Sequence, residues 1–213
     1  LTRAPQRTRG AVASGALFVV AATVYALLGN AVAHGPPAGI DAAARSVTGE
    51  APRIAWIFTA SCLWPALTLF GLIGVIVAVR RRAWRARIVF AIVTTVVAWQ
   101  VSNVLKDVFM RLRPEYWIVF HETSYSYSSG HAMFATLVYW LWTYFIARSD
   151  LPPAVRGPVA TLLALWGAGV IWSRLALGAH YPTDLLGGVL LAIAMLALAH
   201  VVALLVAPRT RVL

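Results

Sequence analysis

Three short stretches of this chain concentrate residues able to do chemistry: KDVFMRLRP at 106–114, SSGH at 128–131 and SRLALGAHYPTD at 173–184. Among their residues are three cations (Lys106, Arg113 and Arg174), two imidazoles (His131 and His180), the carboxylate of Asp184, and a Ser129-Gly130 pair ahead of an apolar run. Fixed cations repel one another, so three of them cluster stably only where an anion completes the set. Guanidinium and ammonium donors match the equatorial oxygens of a phosphoryl group. Phosphoryl transfer in turn asks mainly for positioning and charge stabilisation around those oxygens. Backbone N–H groups at a helix start add an anion cradle, and Gly130 permits close approach.

The histidines divide the remaining work. A neutral imidazole attacks phosphorus through one nitrogen while a partner on the other fixes its tautomer. Asp184 follows His180 by four residues, one helical turn, and is placed to accept the Nδ1–H. The neighbouring cations disfavour protonation of His180. His131 is then available to protonate the leaving oxygen and later to activate water. No cluster of carboxylates offers a metal site, so the expectation is a metal-independent reaction with no cofactor. Taken singly, each residue has a plainer reading: Lys106, Arg113 and Arg174 as helix-end residues snorkelling to the interface, His131 and His180 as interfacial histidines. Arg111 reads as a solvated loop charge. His34, His121 and His200 lack a partner pattern, and His200, within an apolar run, suits a hydrogen bond to a neighbouring helix.

The rest of the chain must position these groups within a bilayer. Of its 213 residues 61% are hydrophobic and 12% charged, and the mean hydropathy is +0.77. That composition describes an all-α polytopic membrane protein rather than a soluble domain. The net charge of +11 does not point to nucleic acid here, because the arginines sit at the ends of apolar runs and orient the protein in the membrane. The single Cys62 excludes an internal disulfide and argues against a cysteine metal site.

Runs of about 20 apolar residues cross a bilayer. The candidates are Ala11–Ala33, Ile54–Val79, Ile88–Leu105, Ala132–Ala147, Gly157–Trp172 and Leu185–Ala207, which makes six transmembrane helices in one domain over 1–213. Ala31-Val32-Ala33 resembles a signal cleavage site, but the first run is longer than a signal core, and an uncleaved helix is the expectation. With the N-terminus inside, the inner segments hold 12 of the 18 Lys and Arg residues, most densely in RRRAWRAR at 80–87. Both termini are therefore expected in the cytoplasm. Residues 34–53 form an outer loop with a short interfacial helix in GIDAAARSVTG and a covering or spacing role. In this topology all three polar stretches reach the same face, at the extracytoplasmic ends of the third to sixth spans. Ionisable groups at membrane depth are costly and by default functional.

K-x6-R-P from Lys106 to Pro114, Ser129-Gly130-His131, and S-R-x5-H-x3-D from Ser173 to Asp184, in this order, resemble the type 2 phosphatidic acid phosphatase family, which shares its site with vanadium haloperoxidases. The resemblance covers about residues 50–205. It implies a phosphohistidine on His180, His131 as acid and base, and Lys106, Arg113, Arg174 and the Ser129-Gly130 backbone as phosphate ligands. Ser128 replaces the family's usual proline, which stiffens that loop without donating to the ligand. The implied activity is a multi-pass lipid phosphatase of the plasma (inner) membrane. Its site faces outside and takes a lipid phosphate or diphosphate: undecaprenyl diphosphate, phosphatidylglycerophosphate, phosphatidic acid or diacylglycerol pyrophosphate. Two alternatives stay open: a phosphotransferase on the same scaffold, and a lipid-phosphate transporter or binding protein.

Overall fold

The structure, a computed structural model, describes residues 3–49, 51–116 and 122–206, and every regular element among them is helical. The chain runs through α1 (Arg3–Val32), α2 (Ile40–Ala43) with a 3-10 turn (Ala44–Val47), α3 (Pro52–Ala60), α4 (Trp64–Arg80), α5 (Arg85–Phe109), a helical stretch 130–147, α8 (Pro153–Ala176) and α9 (Pro182–Val206). The stretch 130–147 comprises α6 (Gly130–Phe134), a π-helical segment (Ala135–Trp140) and α7 (Leu141–Ala147).

Four helical segments, Arg7–Val32, Arg82–Phe109, Pro153–Ala176 and Pro182–Val206, are long and apolar enough to cross a membrane. The apolar run Ile54–Val79 is not one straight helix. It breaks at Ser61–Leu63 and bends by 43° between α3 and α4, which together make a fifth candidate. The break has a local cause. Leu63 is extended, and Pro65, in the first turn of α4, has no N–H to continue the ladder from α3. Residues 130–147 are helical throughout but in three pieces. Length and composition therefore support four spans, or five with the bent pair, where the sequence led us to expect six.

α1 packs along α9, α3 along α8, and α7 with the π segment against α8. His200 on α9 meets Ser14 of α1 at 2.9 Å, the interhelical role expected for it. Gly188 on α9 is required by close packing: a Cβ there would run into the Ser129 carbonyl and lie 3.0 Å from Ala132 Cβ. This approach brings the start of α9 against the start of α6, and the Ser129 N–H donates to the Asp184 carbonyl at 3.0 Å. Just beyond α8, Gly178, with a φ of +66°, reverses the chain, while the Ala179 N–H caps the Arg174 carbonyl at 2.9 Å. The C-terminal ends of α5 and α8 and the N-terminal ends of α6 and α9 thus meet at one end of the bundle.

Candidate active site

Each polar residue at this end is held by an identifiable helix terminus. Lys106 lies in the last turn of α5, and Met110, in the left-handed conformation, then turns the chain toward Arg111 and Arg113. Ser129 caps α6, its Oγ accepting from the Ala132 N–H at 3.4 Å. Arg174 ends α8 and is 1% exposed. Pro182 opens α9, and Asp184 reaches back to the Tyr181 N–H at 2.9 Å, half of a capping box that also suits the positive end of the helix dipole.

Beside these termini lies a cavity of about 190 Å³ whose lining includes Lys106, Glu122, Ser124, Gly130, His131 and His180. Lys106 Nζ donates to the Tyr125 carbonyl at 2.8 Å, and Arg113 Nε to that of Ser124 at 2.7 Å. Arg113 Nη2 and Arg174 Nη2 both donate to one carboxylate, that of Glu122, at 2.7 and 3.0 Å. A Cβ built at Gly130 would meet nothing within 4 Å, so the backbone there is open to a ligand. His131 Nε2 is shielded and has no hydrogen-bond partner among the described residues.

The tautomer of His180 follows from its neighbours. Arg113 Nη1 lies 3.2 Å from Nε2 and has only protons to offer, so Nε2 carries the lone pair and Nδ1 the hydrogen. Burial, and then the charges of Arg113, Arg174 and Lys106, push the His180 pKa well below its ordinary 6.5, which keeps the ring neutral. An apolar groove of about 220 Å³ between α4, α5 and the 130–147 stretch shares Trp64, Leu67, Trp99 and Phe134 with the lining of the polar cavity.

The structure brings together all eight residues singled out from the sequence: Lys106, Arg113, Ser129, Gly130, His131, Arg174, His180 and Asp184. The expected His180–Asp184 contact differs in detail. Nδ1 lies 3.5 Å from Asp184 Oδ2, at the long limit of a hydrogen bond, and Ser126 flanks the pair. Ser126 Oγ is 3.3 Å from Nδ1 and donates to Oδ2 at 2.5 Å. The Asp184 carboxylate also serves the helix cap and a cation.

That cation is Arg111, which is not a solvated loop charge. It is 4% exposed and bridges Asp184 at 2.6 Å and Asp41 at 2.7 Å. Removing one partner of such a buried pair costs about 3–5 kcal/mol, because the other charge stays behind unpaired. Residues 34–53 do contain the expected short helix, but Asp41 makes this segment more than a spacer. It reaches into the site end and also accepts from the Thr183 N–H at 3.0 Å and hydroxyl at 2.7 Å. Thr59, within 3.3 Å of Arg174 Nη1, and Glu122 were likewise not anticipated. One signal was available: the chain has only seven acidic residues, so a buried arginine had few possible partners. His121 and Trp117 lie outside the described residues.

Comparison with known proteins agrees with this architecture. The structure of a transmembrane PAP2-type phosphatidylglycerolphosphate phosphatase from Bacillus subtilis superposes with a TM-score of 0.72, covering 91% of this chain and 98% of the other at 24% identity, and so shares the fold. Phosphatidylglycerophosphatase B of B. subtilis is 34% identical over 41% of this chain and 43% of its own length. The Escherichia coli protein of the same name is 38% identical over 37% and 29%. These alignments span less than half the length of either relative. The family model of the PAP2 superfamily matches residues 84–206, more than half of the chain and the part that carries all three polar stretches. The chain belongs to the PAP2 superfamily.

Proposed function

We propose that this protein is an integral membrane phosphatase that hydrolyses a lipid phosphate or diphosphate through a phosphohistidine at His180. The observation that carries the reading is the Arg113–His180 contact, which sets the Nε2 lone pair at a cavity that Lys106 and His131 also line. In this reading Nε2 attacks the terminal phosphorus, and the bond from it to the leaving oxygen breaks: the lipid's own oxygen in a monophosphate, the bridging oxygen in a diphosphate. His131 gives its proton to that oxygen. His131 then takes a proton from water, whose oxygen attacks phosphorus, breaks the P–N bond and releases inorganic phosphate. Lys106, Arg113, Arg174 and the Ser129-Gly130 backbone hold the phosphoryl oxygens throughout.

Glu122 supports the assignment by bonding as an anion in the cage would, taking one N–H from each of Arg113 and Arg174. Substrate displaces it. The apolar groove beside the cavity suits the lipid chains, with the headgroup among the cations. Residues 130–147 complete a six-span domain over 1–213 with both termini cytoplasmic, so the site faces outward from the inner membrane and receives lipid from the outer leaflet. Phosphatidylglycerophosphate, for which the relatives are named, is the first substrate to try.

The test is phosphate release from purified phosphatidylglycerophosphate, phosphatidic acid, undecaprenyl diphosphate and diacylglycerol pyrophosphate in detergent, with His180→Ala beside the wild type. Release by the wild type alone supports the reading. Equal release by both refutes it, and release that needs an added lipid acceptor identifies a phosphotransferase.

A further inference from the structure

A second layer of charge lies behind His180, and the reaction scheme above does not use it. Arg111 Nη1 donates to Asp184 Oδ1 at 2.6 Å and to Thr183 Oγ1 at 2.7 Å, while Nη2 donates to Asp41 Oδ2 at 2.7 Å. Its guanidinium carbon lies 4.4 Å from the centre of the Tyr181 ring. The Arg111 carbonyl accepts from the Ser126 N–H at 2.8 Å, so the same residue also anchors the hydroxyl that contacts both His180 and Asp184. Asp41, Arg111, Ser126 and Asp184 are all buried. Three separate parts of the chain, the α2 turn, the segment after α5 and the start of α9, therefore close on one side of a single imidazole.

We propose that Arg111 is a positioning residue for the reaction: its fork, held on the far side by Asp41, fixes the orientation and the effective charge of Asp184, and through Ser126 the orientation of His180. The proposal rests on the reading of His180 as the attacking base. A planar guanidinium suits the task because two carboxylates can be bridged at a fixed spacing, which an ammonium cannot do. Arg111 also offsets much of the Asp184 charge. Asp184 thereby orients His180 without drawing a proton onto it.

The charge balance gives a test that simple loosening of the fold would not satisfy. His180 faces the cations of Lys106, Arg113 and Arg174, the carboxylates of Glu122 and Asp184, and the imidazole of His131. Arg111 and Asp41 act from behind Asp184. Arg111→Gln leaves the Asp184 charge uncompensated and raises the pH at which His180 gains a proton. Asp41→Asn leaves Arg111 more cationic and lowers it. The measurement is the pH dependence of kcat/KM for phosphate release, with vanadate binding and thermal melting as checks that each variant is folded.

We expect kcat to fall roughly tenfold or more in both variants, with KM within about twofold because neither residue touches the phosphate. The acid limb should rise by roughly half a pH unit in Arg111→Gln and fall in Asp41→Asn. Arg111→Lys keeps the charge without the fork and should lie between Arg111→Gln and wild type. Wild-type kcat in Arg111→Gln, full recovery in Arg111→Lys, or acid limbs that move the same way would overturn the proposal. If a neutral variant does not fold, Arg111→Lys alone decides by the same kcat criterion. Turnover by His180→Ala would instead overturn the functional reading beneath it.

Discussion

The two ends of this bundle use arginine in opposite ways. At the end that carries residues 80–87, the side chains are mostly exposed and satisfy backbone: Arg85 donates to the carbonyls of Ala78 and Val79 at 2.7 and 3.3 Å, and Arg87 lies over Trp84. Arg7 does the same to the Leu204 carbonyl. At the other end Arg111, Arg113 and Arg174 bind carboxylates, and Arg111 and Arg174 are almost wholly buried. An exposed arginine at a helix C-terminus contributes a few tenths of a kcal/mol and is screened by salt. A buried one is tolerated only because an anion answers it. The same residue type therefore satisfies exposed helix-end carbonyls at one end and clusters against carboxylates at the other. Burial and partner separate the two uses, whereas number does not.

The largest effect that would sharpen this contrast is at His180. His180→Ala should lower kcat by roughly 10^4-fold or more, since no other group supplies the attacking nitrogen. Arg174→Gln should cost roughly 10^2- to 10^3-fold in kcat/KM, the scale for removing one preorganised donor from a developing charge. Phosphate release measured on folded, vanadate-binding protein checks both. Glu122→Gln is expected to act in the other direction. With the internal anion gone, vanadate should inhibit severalfold more tightly, and an unchanged inhibition constant would remove Glu122 from the cage. Arg85→Ala, at the opposite end, should leave kcat within about twofold and stability within about 1 kcal/mol. A loss of activity there comparable with Arg174→Gln would erase the contrast between the ends.

The residues proposed for the site stand out in the sequence because they break a simple background. In a chain with so little charge, Lys106, Arg113, His131, Arg174 and His180 stand out at the ends of apolar runs, and the structure brings them to one end of the bundle. What lay hidden were the groups that answer them. Asp41 sits in a polar loop where a carboxylate needs no explanation, and its pairing with Arg111 spans 70 residues of sequence. No local spacing records that. The Asp184 geometry was missed for a related reason. The four-residue interval to His180 is correct, but it cannot reveal that Arg111 and the α9 cap also hold the carboxylate, or that Ser126 bonds to it from the side. The fold was read well at the level of apolar runs and less well at their interruptions. Pro65 gives a physical reason for the bend between α3 and α4, whereas the π segment within 130–147 carries no comparable mark in the sequence.

The central claim is that His180 carries the phosphoryl group between lipid and water. The direct measurement is a rapid-quench experiment with phosphatidylglycerophosphate labelled at its terminal phosphate, followed by peptide mapping of the protein-bound label. The account predicts an acid-labile, base-stable label on the peptide containing His180, absent in His180→Ala. A label on any other residue, or a burst of free phosphate with His180→Ala as fast as the wild type, would contradict it.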